Sequence, residues 1–279
     1  MRKVTLGKKA RLRRLLYLVP GMQRLRAALD RLVNTPDFDG WGMQTHTSPP
    51  WHQHGEKNAA DFLCAHQSIL GEVISGEFTL SQFQDHEDIG RVLGGLMWRH
   101  YLVFWTARYA AQRCSQDVTT LVECGVCDGL TASFAMKSMT GPFRASLYDA
   151  WAPMPLGNSG AEAKMAGGYD YLELDVTKRN LNKFANSTKF IQGYIPQSFS
   201  TSALPENICW LHIDLNAASP TGGALELLYD RMCPGAVVLF DDYAWPAHLE
   251  TREVVDAFFS DKPGSLLPFP TGQAVFFRA

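Results

Sequence analysis

Five short apolar runs alternate with stretches of helical periodicity in the second half of the chain, and this rhythm constrains the fold more than any other feature. The runs are Thr119–Cys124, Ser146–Asp149, Lys189–Gln192, Ile208–Asp214 and Ala236–Asp241. Helical stretches are predicted between and after them over 131–139, 176–184, 223–232 and 248–259. Apolar strands separated by helices imply a parallel sheet covered on both faces. The last two runs, 265–269 and 273–278, flank Pro270-Thr271-Gly272 and predict an antiparallel hairpin closing one sheet edge. The expected fold is therefore α/β and Rossmann-like, with a seven-stranded mostly parallel sheet and a C-terminal antiparallel hairpin. A helical N-terminal region over residues 1–112 precedes it, and residues 113–279 form the sheet domain. With 279 residues, 46% of them apolar, the chain can bury a substantial core.

The predicted strands end in acids: Glu123, Asp149, Asp214 and the pair Asp241-Asp242. Ligands of open parallel sheets bind beyond the strands' carboxyl ends, near the switch in strand order. A series of carboxylates there would be costly as buried filler. Glu123-x-Gly125-x-x-x-Gly129 resembles the first motif of class I methyltransferases, whose cofactor is S-adenosylmethionine. Glycines let the backbone turn tightly and approach a ligand, so Gly125, Val126 and Gly129 are expected at the cofactor. Glu123 suits its cationic amino-acid end. Asp149 stands where a carboxylate takes both ribose hydroxyls. Gln192 and Gly193 stand where adenine would be contacted. A dinucleotide fingerprint would need a third glycine, which counts against NAD.

Adjacent parallel strands would bring Asp214, Asp241 and Asp242 together, and three clustered carboxylates call for a cation. Oxygen-only ligands suit a hard ion such as Mg²⁺. The alternative is that Asp214 contacts the cofactor while the pair caps a helix or meets Arg252. The segments 122–129, 147–155, 194–199, 212–221, 227–235 and 239–243 resemble the macrocin O-methyltransferase (TylF-type) family. That resemblance implies Mg²⁺ held by Asp214, Asp241 and Asp242, and methylation of hydroxyls on sugars or other natural products. The chain departs from the family's usual Asp-Gly-Asp-Leu-Tyr-Glu-Ser-Thr, carrying Asn216 where the second acid would stand. As general base, His248 is the first candidate because it follows the metal strand, and Asp214 is the second. His212, inside a strand, reads as a core or cofactor-adjacent histidine. The partner expected is a small-molecule hydroxyl acceptor.

Residues 1–33 carry ten basic side chains against Asp30, a formal +9 in a chain of net charge −2. Met22, Leu25, Leu29 and Leu32 make an apolar stripe there. It suits docking on the chain's own domain or on a second copy, a homodimer, ahead of a membrane surface. No nucleic-acid motif accompanies the charge, so nucleic acid is not expected. Residues 34–58, with His46, His52 and His54, read as a loop over the substrate pocket or as plain surface. The six cysteines are scattered, and a reducing cytoplasm is expected without disulfides; no signal peptide is read. Cys124 and Cys127 form a C-x-x-C that reads as filler within the glycine turn. Two rival functions remain at this stage: an NAD-dependent oxidoreductase on a related sheet, and a non-catalytic scaffold that binds a partner or membrane.

Overall fold

The computed structural model describes residues 57–82, 93–155 and 166–279, all within a compact unit spanning Thr45–Ala279. Helices α1 (Lys57–Ile74) and α2 (Met97–Arg113) lead into an alternating series. That series is β1 (Thr119–Cys124), α3 (Leu130–Lys137), β2 (Phe143–Asp149), α4 (Leu174–Asn180) and β3 (Thr188–Gln192). It continues with β4 (Ile208–Ile213), α5 (Ala218–Leu228), β5 (Met232–Phe240), α6 (Leu249–Phe259), β6 (Gly264–Pro268) and β7 (Ala274–Arg278). The basic arm, its apolar stripe and the three loop histidines lie outside the described residues.

The sheet order is β3-β2-β1-β4-β5-β7-β6. Strands β1 to β5 run parallel, and β7 runs against both neighbours, β5 and β6. The expected hairpin thus closes the sheet, with its second strand inserted beside β5. Strand order reverses between β1 and β4, which places the ligand crevice of such a fold at their carboxyl ends. The register there is level: Glu123 pairs with His212, and Ile213 with Phe240. Because strand side chains alternate between faces, Glu123 and His212 share one face.

Every residue of β1 and β4 is buried, which is why both strands read as unbroken apolar runs. Strand β2 begins at Phe143, earlier than the apolar pattern suggests. Its Arg144 breaks that pattern, but Nε donates to Thr120 Oγ1 at 3.2 Å on the next strand. Helix α2 lies against β4, where Trp210 Nε1 donates to Thr106 Oγ1 at 3.0 Å, and against α3, where the His100 ring stacks on Phe134 at 4.4 Å. The segment after α1 is tied to the turn after β1. Ser81 donates to Asp128 through its N–H at 2.6 Å and its hydroxyl at 2.8 Å. Asn180 joins both by accepting from Thr79 N and donating to Asp128 O, each at 2.8 Å.

All six cysteines are free. Three that look scattered in sequence meet at the amino ends of β4 and β5, where Cys233 Sγ lies 2.7 Å from Cys114 Sγ and 3.8 Å from Cys209 Sγ. Among the described residues, no helix is long and apolar enough to cross a membrane.

Candidate active site at the carboxyl edge of the sheet

The turn after β1 is built by backbone contacts. Gly125 N donates to Tyr148 O at 2.8 Å, extending the β1–β2 ladder past the strand end. Gly125 has φ +89°, and a β-carbon there would run into the carbonyl of Asp214. Gly129 has φ +86° and precedes α3; a β-carbon on it would lie 2.9 Å from Leu181 Cδ1. The sequence suggests that these glycines make room for a ligand. The structure adds a reason of its own, since each also makes room for a neighbouring part of the chain.

Asp149 organises the same turn. Its Oδ2 accepts from Val126 N at 2.7 Å and Cys127 N at 2.8 Å, and its Oδ1 accepts from Trp151 N at 2.7 Å. Burial pushes its pKa up, and the backbone N–H groups of Trp151, Cys127, Val126 and Ala150 oppose that shift. Gly193 N donates to Asp149 O at 2.8 Å, while the exposed Gln192 side chain donates to Ala150 O at 3.3 Å. The expected cofactor residues therefore form one contiguous patch along β1, β2 and β3. Burial raises the Cys124 and Cys127 thiol pKa values, so neither is an activated nucleophile.

Glu123 is buried, 1% exposed, with Oε1 3.0 Å from His212 Nδ1. Its Oε2 has no hydrogen-bond partner among the described residues. His212 Nε2 lies 3.8 Å from Asp241 Oδ1, within ion-pair range but beyond hydrogen-bond range. Burial pulls the His212 pKa down, yet the Asp241 and Glu123 carboxylates outweigh it and hold it up at about 10. His212 thus sits between the carboxyl groups of Glu123 and Asp241.

The main surprise is Arg99, on the first turn of α2. Its Nε donates to Asp241 Oδ1 at 2.7 Å and its Nη2 to Asp214 Oδ2 at 2.9 Å, and Nη2 also pairs with Asp241 Oδ2. Gln273 Nε2 adds a bond to Asp241 Oδ1 at 3.0 Å. Burial disfavours the Asp241 charge, but the facing Arg99 guanidinium overrides it and holds the carboxyl well below the usual range. Asp214 goes the other way, raised by burial and by Asp241 and Asp242. Arg99 went unnoticed in the sequence reading, although a lone arginine in the apolar run Met97–Phe104 had to find a buried acid.

His248 is the residue just before α6. Its Nε2 lies 3.9 Å from Asp242 Oδ1, and its Nδ1 has no partner among the described residues. Burial, then Asp241, raises the Asp242 pKa.

These side chains do not fit Mg²⁺. Donor atoms of His212, Asp214 and Asp241 lie within 4.8 Å of one another, but the two aspartates already face a guanidinium. Both Asp241 oxygens and one of Asp214 are committed to Arg99. Asp242 Oδ1 lies 3.9 Å from His248 Nε2 and its Oδ2 has no partner among the described residues, while Asn216 presents its amide nitrogen, 3.4 Å from Asp214 Oδ1 and 3.4 Å from the Tyr169 hydroxyl. The alternative pairing of Asp241-Asp242 with Arg252 is also not seen; Arg252 meets Asp256 at 3.4 Å.

The geometry can be set beside known proteins. The O-methyltransferase NovP superposes with a TM-score of 0.63 at 17% identity, covering 80% of this chain and 100% of that one, and has the same fold. The calicheamicin methyltransferase CalS11 gives 0.49 at 15% identity, over 86% and 98%. An O-methyltransferase from Bacillus cereus in complex with SAH gives 0.48 at 10%, over 77% and 91%. Curated proteins gave no sequence match. A family model of macrocin-O-methyltransferase (TylF) matches residues 110–263, from the end of α2 through α6 and more than half of the chain. With that match, the oxidoreductase reading falls away, and the chain belongs to the macrocin-O-methyltransferase (TylF) family.

Proposed function

We propose that this chain transfers a methyl group from S-adenosylmethionine to a hydroxyl of a small molecule of the sugar or natural-product kind. The family match supports oxygen methylation. The observation that carries the cofactor reading is the unfilled carboxylate oxygen of Glu123 beside the glycine turn. Glu123 Oε2 is buried without a partner, which suits the ammonium of the cofactor's amino-acid end. Asp149, which ends β2 beside that turn, is assigned the ribose hydroxyls. Gln192 and Gly193 adjoin Asp149 on the adenine side.

When bound there, the cofactor supplies an electrophilic methyl group on a sulfonium. The chain's own task is to hold the acceptor in line and take its proton. His248 is assigned that proton, with Asp242 orienting the imidazole and balancing the charge it gains; Asp214, with its raised pKa, is the second candidate. Magnesium, expected from Asp214, Asp241 and Asp242, is left out of this reading because Arg99 occupies both Asp241 oxygens and one of Asp214.

The test is transfer of labelled methyl from S-adenosylmethionine to a panel of hydroxylated sugars and phenols. Labelled product from at least one class supports the reading. Cofactor binding without transfer to any hydroxyl, together with transfer to an amine or thiol panel, would overturn the oxygen assignment.

A further inference from the structure

We propose that Arg99 stands in for a divalent ion: its guanidinium, clamped by Asp241 and Asp214, is the cation that faces the acceptor oxygen, and transfer needs no metal. The proposal rests on the methyltransferase reading above. Guanidinium carries five N–H donors in a rigid planar fork. Three are committed here, one from Nε to Asp241 and two from Nη2 to Asp241 and Asp214. The two on Nη1 bond to no described residue, and the side chain keeps 27% of its surface exposed. The clamp fixes the plane of the guanidinium and leaves Nη1 without a partner among the described residues.

Charge argues the same way. The Arg99 guanidinium already faces Asp241 and Asp214. A doubly charged ion would have to enter against that cation, and like charges a few ångströms apart repel strongly in a half-buried site. Gln273 also holds Asp241 Oδ1 at 3.0 Å, so the carboxylate is not free to turn away.

In the reaction, the acceptor hydroxyl gives its proton to His248 and its oxygen forms the bond to the methyl carbon. The carbon–sulfur electron pair returns to sulfur and leaves S-adenosylhomocysteine. Arg99 N–H bonds to that oxygen make proton removal easier, and Arg99 emerges unchanged.

The experiment is Mn²⁺ titration of the full chain, followed by electron paramagnetic resonance, for the wild type, Arg99→Ala and Arg99→Lys. Each protein is also titrated calorimetrically with S-adenosylhomocysteine, and wild-type transfer is measured with and without chelator. The wild type and Arg99→Lys should leave the free Mn²⁺ signal intact. Arg99→Ala should bind Mn²⁺ at least about tenfold more tightly than the wild type, and chelator should leave wild-type turnover unchanged. Uptake of one Mn²⁺ per wild-type chain, or loss of wild-type turnover in chelator, would overturn the proposal. If Arg99→Ala does not fold, the wild-type and Arg99→Lys titrations still decide. Absence of S-adenosylhomocysteine binding by the wild type would overturn the methyltransferase reading and with it Arg99's role toward the acceptor. The Mn²⁺ signal would still judge whether the ion is excluded.

Discussion

Gly125 and Asp214 are in backbone contact: at φ +89° the glycine lies so close that any β-carbon would collide with the Asp214 carbonyl. The contact joins the cofactor turn after β1 to the acid that ends β4, and Asp214 N donates to Cys124 O at 2.9 Å beside it. Gly125→Ala is therefore expected to do double damage. It strains a left-handed backbone and pushes the two strand ends apart, costing more than about 2 kcal/mol. Denaturant melts with parallel cofactor titration check this, and a variant with wild-type stability and affinity would contradict it.

Asp149 serves the turn and the cofactor together, because its three bonds come from backbone N–H groups. Asp149→Ala is expected to weaken S-adenosylhomocysteine binding by roughly 10- to 100-fold, through lost charge-assisted bonding to the ribose and a loosened turn. Calorimetry reads the change directly.

The Arg99 clamp contributes to stability as well as chemistry. Removing one member of a buried pair leaves an uncompensated charge, so Arg99→Ala should cost about 3 kcal/mol. Pairing it with Asp241→Asn should recover part of that loss. A double-mutant cycle in urea measures the coupling, and strictly additive losses would show that the clamp is not a stabilising pair.

His212 gives the fold a pH signature. Its folded pKa is raised, to about 10, above an unfolded value of about 6.5. Its stabilising contribution is therefore complete below about pH 6.5 and is lost as pH rises toward about 10. His212→Gln should be less stable near neutrality and should lack this slope. Urea melts across that window compare the two proteins.

The base assignment makes its own demand. His248→Ala should lower kcat by about 10²- to 10⁴-fold while cofactor affinity stays near wild type. Unchanged turnover would move the role to Asp214.

The sheet was legible because β1 and β4 are buried along their whole length and cannot hide their apolar runs. The acids at the strand ends were legible for the same reason, since each interrupts such a run. What stayed hidden was long-range pairing. Arg99 lies 115 positions from Asp214 and 142 from Asp241, and no local spacing signals a partner that distant. Three carboxylates read from sequence invite a metal, because the sequence does not show the guanidinium that helix α2 delivers. The reasons for Gly125 and Gly129 were hidden likewise: their colliding neighbours, Asp214 and Leu181, come from other strands and helices.

The central claim is that the carboxyl edge of this sheet binds S-adenosylmethionine and uses it, and calorimetric titration of the full chain with S-adenosylhomocysteine tests it most directly. One site per chain, weakened in Asp149→Ala and retained in His248→Ala, is the expected result. No heat of binding at millimolar ligand, or binding indifferent to Asp149, would contradict the account.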